Sequence, residues 1–123
     1  MVQSSEPTSL RFDIAKLRDA IACIDNAATV HEGLYRAFIE DLQWVESLDR
    51  FASHLGSGLE LIATLAANPD RKSLARLARE TIRELTADEA GELVYQIHFL
   101  LAVVEQAACR REMTALAARS GSH

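Results

Sequence analysis

The chain has 123 residues, of which 49% are apolar and 25% charged, and its formal net charge is −5. Twenty alanines, sixteen leucines, eleven arginines and eleven glutamates make up nearly half of it, whereas there are only five glycines and two prolines. Because those four abundant residues are strong helix formers, the composition predicts a single helical domain. It excludes a disordered chain, a loop-rich fold and a β-barrel.

Charge and apolar patterning also limit the partners and the cellular location that the sequence predicts. An acidic chain is poorly suited to nonspecific nucleic-acid binding, in which neutralisation of phosphates dominates the affinity. The N-terminal residues lack the basic start and apolar run of a secretion signal. The longest apolar run, Phe99–Val104, is far shorter than the roughly 18 residues of a membrane-spanning helix. We therefore expect a cytoplasmic protein without membrane association, with disordered tails at 1–8 and 120–123 and one helical domain at 9–119.

The first predicted helix covers residues 9–28. Its apolar side chains recur at spacings of three and four residues, which places them on one stripe of an amphipathic helix with the pattern of a coiled coil. The capping box Thr29-Val-His-Glu32 then predicts the start of a new helix. We therefore expect a break near residues 28–32.

The second predicted helix covers residues 30–67. Gly56-Ser-Gly58 interrupts it, and two glycines inside a helix cost about 1 kcal/mol each relative to alanine. The apolar stripe nevertheless continues in phase beyond them, which favours one helix with a possible kink at 56–58.

Pro69 marks the clearest boundary, since proline ends one helix and suits the first turn of the next. A third helix is predicted over 70–85, and the capping box Thr86-Ala-Asp-Glu89 opens the last one, over 87–118. The last helix is apolar on most of its sides, so most of its sides must be buried. The sequence thus predicts an all-α fold, an antiparallel bundle of three to four helices completed by dimerisation.

The first and last predicted helices carry more apolar surface than three or four helices can cover within one chain. A homodimer would bury the excess in a large apolar interface. The dimer-seam candidates are Leu10, Ile14, Leu17, Ile21, Ile24, Ile97, Leu101 and Val104.

The sharpest surface feature is a cationic stripe on the third predicted helix, whose members lie within about 60° of one another on a helical projection. The cationic stripe consists of Lys72, Arg76, Arg79 and Arg83. It suits an acidic partner helix or a phosphate backbone, or it is a solvated face that pairs with nearby glutamates. The aromatic candidates for a partner interface are Tyr35, Trp44 and Phe99, because aromatic residues are enriched at interface hot spots.

Patterns for catalysis and metal binding are missing from the sequence. Neither Glu-x-x-His nor His-Glu-x-x-His occurs, so we predict no metal and no cofactor. Ser57 and Ser122 lack the strand–turn–helix setting of a nucleophile elbow, and no catalytic residue is assigned. Cys23 and Cys109 fit no zinc spacing and are interpreted as two small buried apolar side chains.

One segment of nine residues, Leu17-Arg-Asp-Ala-Ile-Ala-Cys-Ile-Asp25, resembles the opening Leu-Arg-x-x-Ile-x-x-Ile-Asp of helical chorismate mutases. The resemblance implies a small all-helical dimer in which Arg18 grips a substrate carboxylate. The family's second arginine would fall near Tyr35, and Arg36 is one position away. The family's active-site lysine has no counterpart, since the only lysines are Lys16 and Lys72.

The leading functional hypothesis is a non-enzymatic helical regulatory or adaptor protein that homodimerises and binds a protein partner through helix faces. Transcription antiactivators and secretion chaperones are examples of this class. The alternative is a small all-helical enzyme that acts on a carboxylate substrate, as chorismate mutase does. A third hypothesis is a weak nucleic-acid-binding module that uses the cationic stripe.

Overall fold

The computed structural model describes the backbone of residues 5–120 and the side chains of residues 10–118. Within this range the protein is all-helical and has no strand. The α-helices are α1 (Ser5–Asn26), α2 (Val30–Glu40), α3 (Ser47–Leu55), α4 (Ser57–Ala66), α5 (Leu74–Arg83) and α6 (Ala87–Ser120), and a short 3₁₀ helix covers Leu42–Trp44. No helix in the described part of the chain is long and apolar enough to cross a membrane.

The predicted breaks at the two capping boxes are present. Thr29 accepts a hydrogen bond from the backbone N–H of Glu32 at 3.1 Å, and α2 begins at Val30. At the start of α6, Thr86 accepts from the N–H of Glu89 at 3.0 Å while the Glu89 carboxylate accepts from the N–H of Thr86 at 2.8 Å. These local side-chain contacts satisfy one N–H group at the start of α2 and two at the start of α6, where N–H groups have no intrahelical acceptor.

The prediction of one helix over 30–67 is wrong, and this accounts for the larger number of helices. The chain leaves α2 after Glu40 and passes through the 3₁₀ helix before α3 begins at Ser47. A second interruption falls at Gly56, whose φ of 151° is open only to glycine. The apolar stripe keeps its phase across both interruptions, so periodicity alone does not reveal them.

The predicted outer boundaries differ in smaller ways. The third predicted helix, 70–85, is shorter in the structure because α5 begins at Leu74. The predicted tails at 1–8 and 120–123 fall largely outside the described residues, although α1 already includes residues 5–8 and α6 includes Ser120.

The core lies between α1, α2 and α6, and α3 and α4 also pack on α6. Its largest fully buried side chains include Leu17, Leu34, Phe38, Ile97 and Leu100. The first and last helices run antiparallel, because Arg11 pairs with Glu112 and Arg18 pairs with Glu105.

Helices α1 and α2 approach each other closely at Gly33. A Cβ added there would lie only 2.8 Å from the Cα of Ile24. Glycine is therefore required at this position by the spacing of two backbones, which cannot yield as a side chain can.

Candidate functional site

Helices α2 and α5 lie side by side and antiparallel. Near the start of α2, Nε2 of His31 lies 2.7 Å from the carbonyl oxygen of Leu85, just beyond the end of α5. One turn further along α2, the guanidinium of Arg79 lies 4.2 Å from the centre of the Tyr35 ring. We call this region the α2–α5 junction.

The cationic stripe faces away from the core at this junction. The other side of α5 is buried through Leu74, Ala78 and Ile82, so the helix periodicity turns the three arginines of the stripe outward. Lys72 was predicted on the same helix, but it lies in the turn before α5, which begins at Leu74. Each of the four cations is exposed, and among the described residues none of them forms an ion pair with a carboxylate. The contacts of the described residues therefore do not support the alternative interpretation, in which nearby glutamates pair with the stripe.

Two aromatic side chains lie close to arginines in this part of the chain, one of them within the stripe. Tyr35 is half-buried and forms part of a shallow groove of about 220 Å³ together with His31, Glu32, Arg79, Ile82 and Arg83. Trp44 is 51% exposed and has the guanidinium of Arg71 6.0 Å from its ring centre. The structure thus places Tyr35 against the cationic stripe, whereas Trp44 contacts Arg71, which precedes the stripe in sequence.

Phe99, the third aromatic candidate, is not part of this junction. It lies exposed on α6, where its ring contacts that of Tyr95 edge to face at 4.8 Å. Tyr95 was not singled out by the sequence, although it lies one helical turn before Phe99.

The structure places all eight dimer-seam candidates in the core of a single chain or against it. Five of them are buried, namely Leu10, Leu17, Ile24, Ile97 and Val104. The other three, Ile14, Ile21 and Leu101, are half-buried and pack against the same core. The apolar surface that suggested a dimer seam is therefore covered within one chain, by the packing of α1, α2 and α6.

The arginine at the centre of the enzyme hypothesis is engaged with its own chain. The guanidinium of Arg18 donates to Oε2 of Glu105 at 2.7 Å on the exposed surface between α1 and α6. The interpretation of both cysteines as buried is wrong for Cys109, which is exposed on α6. Cys23 is half-buried, and burial is the main cause that raises the pKa of its thiol.

No metal centre is formed by the residues whose side chains are described, because they contain no group of three or more histidine, cysteine or acidic side chains placed to hold an ion. Comparison with known proteins found no matching family model, no matching curated protein and no matching solved structure.

A buried carboxylate lies where α2 ends. Asp41 is 5% exposed, and Oδ1 of its carboxylate lies 3.5 Å from the ammonium of Lys16 on α1. Burial raises the pKa of Asp41 above its ordinary value, and the charges of Asp19 and Glu40 act in the same direction, whereas Lys16 opposes them. Between the ordinary pKa and the raised one, the folded protein binds more protons than the unfolded chain.

The contribution of Asp41 to stability should therefore fall as the pH rises. We expect the Asp41→Asn variant to gain free energy of unfolding relative to the wild type as the pH increases from about 4 to about 7. Urea denaturation across this range measures the difference. Asp25→Asn removes a carboxylate at an exposed position of α1 and controls for the change in net charge. A constant difference between Asp41→Asn and the wild type would contradict the expectation.

Proposed function

We propose that this chain is a non-enzymatic helical adaptor or regulatory protein, antiactivator-like or chaperone-like, that homodimerises and binds a protein partner through exposed helix faces. The α2–α5 junction is the surface for the partner. The partner presents acidic side chains to it, most simply on one face of a helix.

The observation that supports this proposal is the exposed cationic stripe beside Tyr35. Three exposed arginines on one face of α5, together with Lys72 in the turn before it, have no ion pair among the described residues. They leave a positive patch on a chain of net charge −5. Such a patch steers an acidic partner towards one face, since the rest of the acidic chain repels it.

The junction also has the residue types that concentrate binding energy. Tyrosine, tryptophan and arginine dominate interface hot spots, and the planar guanidinium of Arg79 already lies over the Tyr35 ring. An arginine held on an aromatic face keeps its donors directed outward, so less rotamer entropy is lost when a carboxylate binds.

An acidic protein is favoured over nucleic acid by the overall charge. Nucleic-acid affinity comes largely from neutralised phosphates, and four cations on a net-acidic chain supply few of them. Nucleic-acid binding is kept as one outcome of the test below.

The test compares what the wild type and two charge-reversal variants capture from the native cell. Arg76→Glu combined with Arg79→Glu reverses the centre of the cationic stripe. Arg36→Glu combined with Arg50→Glu makes the same charge change at exposed positions of α2 and α3. We expect one protein to be captured by the wild type and by the second variant, and to be lost by the first.

That protein is then purified and titrated against the three chains by calorimetry. We expect the stripe variant to weaken binding by at least about tenfold, which corresponds to about 1.4 kcal/mol, and the affinity to fall as salt is added. Equal affinity for all three chains would overturn the proposal, as would binding to nucleic acid instead of protein. Thermal unfolding of each variant checks that the exposed substitutions leave the fold intact.

A further inference from the structure

Helix α6 carries a second row of side chains that the described part of the chain leaves exposed. These residues follow one another at spacings of four and three, which is the repeat of a coiled-coil seam. The outer row consists of Tyr95, Phe99, Ala102, Gln106, Cys109, Met113 and Leu116, and all seven are exposed.

The outer row lies opposite the face that α6 buries. The buried face is formed by Ala90, Leu93, Ile97, Leu100 and Val104, which have the same three-and-four spacing. A helix with apolar rows on two opposite faces needs a neighbour on each. The buried face packs on the chain's own core, whereas the outer row is exposed.

The size of the exposed row suits a helical partner of equal length. The row extends for about 32 Å at the rise of an α-helix. Tyr95 is 59% exposed and Phe99 is 45% exposed, so the two rings together leave on the order of 200 Å² uncovered. Met113 at 63% and Leu116 at 55% exposure extend the patch towards the largest seen on ordinary monomers, roughly 300–600 Å².

We infer that the outer row is the interface between two copies of this chain, and that the two α6 helices pack parallel and in register. This inference rests on the proposed homodimer and supplies its surface. A specific dimer covers roughly 800 Å² of each copy, so the residues that flank the outer row must also contribute.

Charge at these flanks favours the parallel arrangement. In a parallel coiled coil, the residue at flanking position g, directly before core position a, lies beside the residue five places later, at flanking position e, on the other helix. Glu105 and Arg110 take these two positions beside the outer row. Glu105 of one copy therefore lies beside Arg110 of the other. Arg110 is exposed and has no ion-pair partner among the described residues. Glu105 binds Arg18 through Oε2, which leaves Oε1 for a second donor.

An antiparallel pair of α6 helices would bring like charges together at the flanks of the outer row. There, residues of the same flank face each other, so Glu105 of one copy would lie near Glu112 of the other. Opposite charges at flanking positions set the orientation of a coiled coil, and like charges disfavour the wrong one.

Gln106 adds a reason for the register. It occupies a core position of the outer row, where an apolar neighbour would leave its amide without a hydrogen-bond partner. Among parallel arrangements, only the in-register one places Gln106 opposite its own copy, where the two amides can bond to each other. A single polar residue at such a position fixes the register of a two-stranded coiled coil at some cost in stability.

Light scattering after size-exclusion chromatography tests whether the outer row is the interface. We expect a dimer for the wild type at micromolar concentration, and a folded monomer when Phe99→Glu and Met113→Glu are combined. Val30→Glu changes an exposed apolar residue outside the outer row and should leave the dimer intact. A wild-type monomer overturns the inference and the proposed homodimer together, but it leaves partner binding at the α2–α5 junction to its own test.

Cysteine cross-linking tests the orientation. Cys109→Ser removes the native thiol of the outer row, and Ala102→Cys or Met113→Cys is then added singly. In the parallel arrangement each added cysteine lies opposite its own copy, and copper phenanthroline should oxidise each pair to an interchain disulfide. No antiparallel register brings both positions 102 and 113 to their own copies, because they are 11 residues apart in sequence. A dimer in which one or neither variant cross-links would overturn the parallel register while the homodimer stands.

Discussion

Replacing Asp13 with alanine should destabilise the fold by about 3 kcal/mol. The carboxylate is 1% exposed and reaches from α1 to the start of α3. Its Oδ1 accepts from the N–H of Glu46 at 3.0 Å, and its Oδ2 accepts from the N–H of Ser47 at 2.8 Å and from the Ser47 hydroxyl. Alanine would leave these donors buried without an acceptor and remove a negative charge from the positive end of the helix.

Urea denaturation of matched variants measures the effect of Asp13. Asp13→Asn keeps the side-chain volume but directs a donor at one of the N–H groups, so we expect an intermediate loss. Asp25→Ala, at an exposed position of the same helix, should change the free energy of unfolding by less than about 0.5 kcal/mol. If Asp13→Ala were as mild as Asp25→Ala, the capping role of Asp13 would be refuted.

Gly56→Ala should cost about 3 kcal/mol for two reasons that act together. The backbone between α3 and α4 has a φ of 151°, which alanine rarely adopts. A Cβ at this position would also overlap the amide of Gln96. That amide is buried, and its Oε1 accepts from the N–H of Leu59 at 3.0 Å, so displacing it costs a buried hydrogen bond.

The chain offers a matched control for Gly56→Ala. Gly91 is exposed inside α6, and a Cβ added there would meet no other atom within 4 Å. Gly91→Ala should therefore raise the free energy of unfolding by about 0.5–1 kcal/mol, because alanine has the higher helix propensity. Opposite signs for the two glycine substitutions are the expected result, and a neutral Gly56→Ala would show that the turn tolerates other backbone angles.

The parts of the fold that could be predicted are those encoded by neighbouring residues. The two capping boxes mark the starts of α2 and α6 because all their hydrogen bonds join residues three apart. The break before α3 could not be predicted in this way. It depends on Asp13, which is 34 residues from Ser47 in sequence, and no local pattern predicts that contact.

The same distinction applies to the candidate surfaces. The spacing of the cationic stripe predicts an outward face, and its three arginines lie exposed on α5, whereas Lys72 lies in the turn before that helix. The position of Arg79 beside Tyr35 follows from the antiparallel packing of α2 and α5. The outer row of α6 was missed although its spacing is regular. Two apolar rows on opposite faces make a helix apolar on most sides, so the sequence pattern does not separate one row from the other.

The antiparallel pairing of α1 with α6 has a consequence for how the chain folds. The ion pairs that join these helices link residues 87 and 101 positions apart, whereas the contacts within α1–α2 and α3–α4 close only short loops. Short loops close at small entropic cost and form early. Docking of α6 onto α1 is then the late, long-range step of folding, and weakening it should accelerate unfolding more than it slows folding.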